Sequence, residues 1–177
     1  MRPPDIFETE RLVLRPPVAD DAQAIFDSFS QDQEVTRFLT WRLHENVQTT
    51  EQYVKRCIDA WQSSARFPWA IVLKGKDSPI GIVELRLEDF KAEFGYVLAR
   101  AYWGQGIMTE AVRGAMDWAL SQPEIYRVWA VCDIENVASA RVLEKAGMKR
   151  EGILRRYIIH PNLSDEPRDC YCYAAVK

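Results

Sequence analysis

The sequence predicts an α+β fold: one domain over residues 1–177, with a mixed, mostly antiparallel central sheet of about seven strands flanked by about four helices. Three observations carry that expectation. The chain is long enough for one full core and leaves little room for a second. Three β-rich runs, "PWAIVLK", "IGIVELRL" and "AEFGYVLA", are separated only by the turn-like "GKDS" and "EDFK", and short turns favour antiparallel neighbours. A single β-α-β unit follows them, which makes the sheet mixed.

The elements read as follows. The opening "TERLVLRPP" alternates apolar Leu12 and Leu14 with Arg11, Val13 and Arg15, a strand that Pro16 and Pro17 end. In "VADDAQAIFDSFSQ", Asp20 or Asp21 can cap a helix whose apolar face carries Ala22, Ile25, Phe26 and Phe29. "TTEQYVKRCIDAWQSS" is a second helix, capped by Thr49 or Thr50, with Tyr53, Val54, Cys57, Ile58 and Trp61 at helical spacing. Beyond the three β-rich runs, a helix covers roughly Ile107 to Leu120. "RVWAVCDI" is a strand, and "NVASARVLEKAG" is a short helix stopped by Gly147. "MKREGILRRYIIH" and "RDCYCYAAVK" close the chain as two strands. The last of them either completes the sheet or pairs at an edge.

Charge and composition narrow the function classes. A net charge of -3 argues against a surface built to hold nucleic acid. No apolar run approaches the roughly 20 residues of a spanning helix, and the start "MRPPDIFETERL" lacks the apolar core of a secretory signal. The expectation is a cytoplasmic protein with no membrane or nucleic-acid partner. Cys57 and Cys132 stand alone in apolar patterns and read as small buried hydrophobes. Cys170 and Cys172 form a C-x-C, but His44 and His160 are the only histidines, so no metal site is expected.

The chemically informative stretch is "ARAYWGQGIMTEAV", Ala99 to Val112. Gly104 and Gly106 sit between a strand end and a helix start. The first turn of a helix has unpaired N–H groups and partial positive charge, and glycine lets a ligand approach it. The segment suits an anion, most often a phosphate. A tight turn with no ligand is the competing reading. A P-loop is excluded, since no lysine follows either glycine. A dinucleotide fingerprint needs a third glycine where Thr109 stands, and it belongs to a sheet of several β-α-β units. The pyrophosphate loop of acetyl-CoA-dependent N-acetyltransferases is the third candidate.

"IENVASARVLEKAGMKREGILR" resembles the second half of the GNAT-family acetyltransferase domain, with Asn136, Ser139, Glu144, Lys145, Gly147 and Met148 at its motif positions. "TERLVLRP", "WGQGIMTEA" and "EGILRRY" are similar in particular to the ribosomal-protein N-acetyltransferase branch, the RimJ/RimL type. The resemblance covers essentially the whole chain. Two positions depart from the family pattern: Ala101 replaces a Gln or Arg that often opens the loop, and Met148 replaces an aromatic residue. Arg100, next to Ala101, can partly substitute for the missing side chain.

The resemblance implies acetyl transfer from acetyl-CoA to a primary amine, by direct attack and without a metal. The acceptor is a protein N-terminus or a small-molecule amine, and the chain is a monomer or a homodimer. Cofactor contacts fall to Val97, Leu98, Trp103, Gly104, Gln105, Gly106, Ile107, Met108, Thr109, Asn136 and Ser139. The backbone of "YVLAR" is the implied oxyanion site. Glu93 and Glu84 are candidate bases, and Ser139 is the candidate partner of the departing thiolate, with Tyr157 as its substitute. Trp41 and Trp61 either line an acceptor pocket or belong to the core, and His44 reads as a surface polar residue. A non-catalytic acyl-CoA sensor of the same fold is the alternative.

Overall fold

A computed structural model describes residues 1–62 and 65–177. The predicted second helix ends at Ser63 and Ser64, which lie outside the described residues. Among the described residues the chain forms eight strands and five α-helices. In chain order these are β1 (Phe7–Glu8), β2 (Leu12–Arg15), α1 (Asp21–Ile25), α2 (Gln33–Thr36), α3 (Val47–Ala60), β3 (Arg66–Leu73), β4 (Pro79–Glu88), β5 (Lys91–Leu98), α4 (Ile107–Ser121), β6 (Arg127–Asp133), α5 (Val137–Ala146), β7 (Lys149–Ile158) and β8 (Arg168–Val176). The two elements not anticipated are β1, of two residues, and α2, of four, too short to display a helical or strand period.

The strands form one sheet in the order β1-β2-β3-β4-β5-β6-β8-β7. β3, β4 and β5 are antiparallel, as their short turns require, and β5 with β6 is the parallel pair. β8 completes the interior, between β6 and β7, so β7 is the edge. β6 and β8 are joined over seven residue pairs, Arg127–Val176 to Asp133–Cys170.

The alternation of strand side chains gives two apolar layers. One face carries Val83, Leu85, Phe94, Leu98, Val128 and Ala130, packed with Met108, Ala111, Val112, Ala115 and Ala119 of α4 and Leu143 of α5. The other carries Ala70, Ile82 and Val97, covered by Ile25 of α1 and Val54 of α3. Trp61, just past α3, belongs to the first layer, where it meets Phe67 and Trp69 edge-on and donates its indole N–H to the Pro68 carbonyl. It is a core residue.

Local chemistry explains the helix ends. Asn46, not Thr49 or Thr50, caps α3, with its side-chain oxygen 3.0 Å from the Thr49 N–H. Asp20 holds the cap position of α1 without a side-chain bond, because the neighbouring Asp21 carboxylate takes the Val18 N–H and the Arg15 guanidinium instead. The predicted first helix continues past Ile25 as a π-helical turn, Phe26–Ser30. Gly147 ends α5 in the left-handed conformation, as expected.

Candidate active site

The stretch from β5 to α4 is built from backbone. Leu98 ends the strand, a 3-10 turn covers Arg100–Tyr102, and Gly106 is the cap position of α4. Gly104 and Gly106 have φ of 74° and 75°, the left-handed region that side chains with a Cβ disfavour. No side chain caps α4, and the N–H groups of Gly104, Gln105 and Gly106 donate to no backbone carbonyl among the described residues. The first N–H groups of α4 have no intrahelical partner either. Ile107 and Met108 bury their side chains in the core, so toward a ligand they offer only backbone. The donor set is that of an anion site, and it fits a pyrophosphate.

Side chains around this turn hold it in place. Trp103 donates its indole N–H to the Leu98 carbonyl at 2.8 Å, and Gln105 donates to the Ala101 carbonyl at 2.8 Å. Arg11 donates to the Gln105 carbonyl at 3.0 Å and to the Glu110 carboxylate at 2.7 Å. Arg100, next to Ala101, pairs with Asp32, the cap of α2, at 3.1 Å.

Beside this loop the sheet splits. β5 and β6 pair only at Lys91–Arg127, Ala92–Val128 and Glu93–Trp129, and the rest of β5 has no neighbour on that side. The Ala99 N–H bonds the Ile80 carbonyl, so by antiparallel alternation Val97 also turns its polar groups to β4. Tyr96 and Leu98 therefore turn theirs into the gap. The Leu98 carbonyl is taken by Trp103, which leaves its N–H facing the gap. Val97 instead packs its side chain under α1 and α3.

Ser139 stands across the gap, on α5. Asn136 caps that helix by accepting the Ser139 N–H at 3.1 Å. The Ser139 hydroxyl lies 2.7 Å from the Tyr96 hydroxyl. Burial pushes the Tyr96 phenol far above its ordinary value, outweighing the hydrogen bond from Ser139, so it stays protonated. Sequence reasoning missed Tyr96. The signal was its alternation with Phe94 and Leu98, which puts a lone hydroxyl on an otherwise apolar face. Tyr157, the predicted substitute, is exposed on β7 within electrostatic reach of Glu93 and Lys91.

Glu84 and Glu93 share the opposite face of the sheet with Arg86. Both oxygens of Glu84 are held by Arg66, at 3.0 and 2.9 Å, and Arg86 adds a contact at 2.5 Å. Glu93 meets Arg86 through one oxygen only, at 3.2 Å. The register places Trp129 beside Glu93, and its indole N–H is buried without a hydrogen-bond partner among the described residues.

A second cluster closes this face. His44 is buried, against the expectation of a surface residue: its Nδ1 lies 2.8 Å from the Thr50 hydroxyl, and its ring stacks near Trp41 and Tyr53. The loop between β7 and β8 is tied to this region by Asn162. That side chain donates to the Thr36 and Trp41 carbonyls and accepts the Leu43 N–H, all within 3.0 Å. His160 is buried between the Phe38 ring and the Asp133 carboxylate, 3.6 Å away. Nothing in local sequence announces the Asn162 contacts, which span more than 115 residues.

A sheet split beside a glycine-opened helix start, with hydroxyls across the gap, is the arrangement that the acetyltransferase resemblance implies for this chain. The acetyltransferase (GNAT) domain matches residues 11–149. YoaA of Bacillus subtilis strain 168, described as an uncharacterised N-acetyltransferase, is 31% identical over 175 residues, 97% of each chain. A GNAT-family acetyltransferase from Bacillus anthracis superposes with a TM-score of 0.83 at 25% identity, covering 97% of this chain and 98% of that one. RimL, a ribosomal L7/L12 α-N-protein acetyltransferase solved with coenzyme A, superposes with a TM-score of 0.83 at 21% identity, covering 97% of each chain. The chain belongs to the GNAT acetyltransferase family and is an acetyl-CoA-dependent N-acetyltransferase.

Proposed function

We propose that the chain acetylates a primary amine, as at a protein N-terminus, with acetyl-CoA as donor. The observation that carries this is the split between β5 and β6, which runs from Glu93 on one face to the Tyr96–Ser139 hydroxyl pair on the other. Bound acetyl-CoA supplies an activated acyl carbon. The pyrophosphate would lie on the N–H groups of Gly104 to Thr109, with Trp103 and Gln105 fixing that turn and Asn136 offering its free amide. The thioester carbonyl would accept the Leu98 N–H, the Val97 side chain bracing the strand from below.

The amine nitrogen forms its bond to the acyl carbon as the carbon–sulfur bond breaks. The ammonium gives up one proton before it attacks, and one proton must reach the departing sulfur. Tyr96, kept protonated by burial, donates the latter directly or through Ser139 and regains a proton from the nitrogen as it becomes an amide. Glu93, with one oxygen clear of Arg86, is the better-placed acceptor for the first. Glu84, engaged by arginine through both oxygens, is suited to holding Arg86 beside Glu93.

The Glu93 oxygen left clear of Arg86 suits a single ammonium, such as that of a peptide N-terminus. The paired glutamates and arginines of this face do not favour a polycation. The test is a thiol-release assay with purified protein over peptides of varied N-terminus and polyamines. Turnover of peptides above polyamines is expected; the reverse ranking overturns the acceptor assignment. Glu93→Gln should lower kcat with peptide acceptors about tenfold or more while the Kd for coenzyme A holds, and an unchanged kcat removes Glu93 as the base.

A further inference from the structure

The opening motif "TERLVLRP" touches neither the sheet split nor the two hydroxyls, yet it reaches the glycine turn. Glu110, in the first turn of α4, accepts the Thr9 hydroxyl, the Arg11 backbone N–H at 2.8 Å and the Arg11 Nε at 2.7 Å. The other side of the same guanidinium, Nη1, donates to the Gln105 carbonyl at 3.0 Å. Nη2 makes no hydrogen bond among the described residues and lies 3.5 Å from where a Cβ on Gly106 would stand. It lines a surface cleft of about 430 Å³ together with Gly106, Thr109, Arg113 and Lys145.

This arrangement meets an electrostatic problem. A carboxylate in the first turn of a helix favours the helix, but it repels an anion bound at the same end. Glu110 is therefore useful to α4 and harmful to a pyrophosphate, unless its charge is cancelled. The Arg11 fork cancels it, and the one remaining nitrogen is turned to the glycine turn. Arg11 also bonds the loop directly through the Gln105 carbonyl, while Ala101 contributes no side-chain charge and Arg100 pairs with Asp32.

We infer that Arg11 is the positioning residue of the cofactor turn, shaping it through the Gln105 carbonyl and cancelling Glu110 so that the start of α4 accepts a pyrophosphate. The inference rests on reading Gly104–Thr109 as the pyrophosphate site. A merely structural clasp and a charge-cancelling one differ in what happens when both partners are removed.

The experiment is calorimetric titration of the full chain with coenzyme A. Arg11→Gln should raise Kd about tenfold or more, as expected for loss of a charge-assisted contact. Glu110→Gln should raise it less. The double variant Arg11→Gln/Glu110→Gln should bind coenzyme A more tightly than Arg11→Gln alone, because the uncancelled carboxylate is gone. Arg11→Lys, which keeps charge but loses the fork, should fall between wild type and Arg11→Gln and serves if Arg11→Gln does not fold. With S-acetylpantetheine as donor, which lacks the pyrophosphate, the loss in kcat/KM should be smaller than with acetyl-CoA. A wild-type Kd in Arg11→Gln, a double variant no tighter than the single, or equal loss with both donors overturns the role of Arg11. Failure of the wild-type chain to bind coenzyme A overturns the reading of the loop itself.

Discussion

The cofactor half of the molecule, β5 to α5, and the half that faces it, α1 to α3 with the β7–β8 loop, are built by different means. In the first, the proposed cofactor site is backbone: glycines at positive φ, N–H groups with no backbone partner among the described residues, and a strand unpaired on one side beyond Glu93. The second is held together by side chains that meet from far apart, such as Asn162 on the Thr36 and Trp41 carbonyls. A backbone site needs particular residues at fixed short spacings. A side-chain site needs only that distant residues be complementary. The first tolerates few substitutions at its glycines; if, as we propose, the second borders the acceptor, it can be rebuilt while the cofactor half stands.

The largest test of that contrast is Gly106→Val. A branched residue at φ 75° strains the turn and fills the space above the N–H groups. Titration with coenzyme A should show about a hundredfold weaker binding, roughly 3 kcal/mol. A folded variant with wild-type affinity breaks the comparison. Next is Asn162→Ala, which strands two carbonyls and an N–H. Denaturant unfolding should show a loss of about 2–3 kcal/mol. Acceptor KM should rise in this variant while the Kd for coenzyme A changes far less; equal changes in both would merge the two halves.

Tyr96→Phe sharpens the comparison at the boundary. Turnover should fall about tenfold or more for loss of a proton donor, with coenzyme A affinity within about twofold. A parallel loss of affinity would make the hydroxyl pair a binding feature. The smallest effect is on pH dependence. Burial lowers the affinity of both His44 and His160 for protons, with Asp133 partly offsetting it at His160. The folded chain then binds fewer protons than the unfolded one just below the ordinary histidine range, so stability is full above about pH 6.5 and declines as pH falls through it. Thermal melts between neutral and mildly acid pH should show that decline, and His160→Gln should flatten it. A flat wild-type profile removes both histidines from the account.

The same contrast explains what could be read in advance. The order of strands and helices along the chain, the helix over Ile107 and the role of Gly147 follow from periodicity and from residues that act alone. Gly104, Gly106, Asn136 and Ser139 fall together because family spacing and local backbone coincide there. Tyr96, Arg11 and Asn162 were not singled out because each acts through a partner at least 43 residues away. His44 was misplaced for a related reason, since its burial depends on Trp41 and Tyr53 closing over it. Its polar character alone points outward.

The three-pair seam between β5 and β6 has a thermodynamic side. A sheet joined at one end by so few residues is two ribbons in a shared sleeve, kept in register chiefly by α4 and α5. A ligand between such ribbons acts as mortar. A molecule seated in the gap with a dissociation constant a hundredfold below its concentration adds about 2.7 kcal/mol to global stability. Much of that gain should fall on amides that flank the seam, which makes amide exchange across it a gauge of occupancy that needs no acceptor at all.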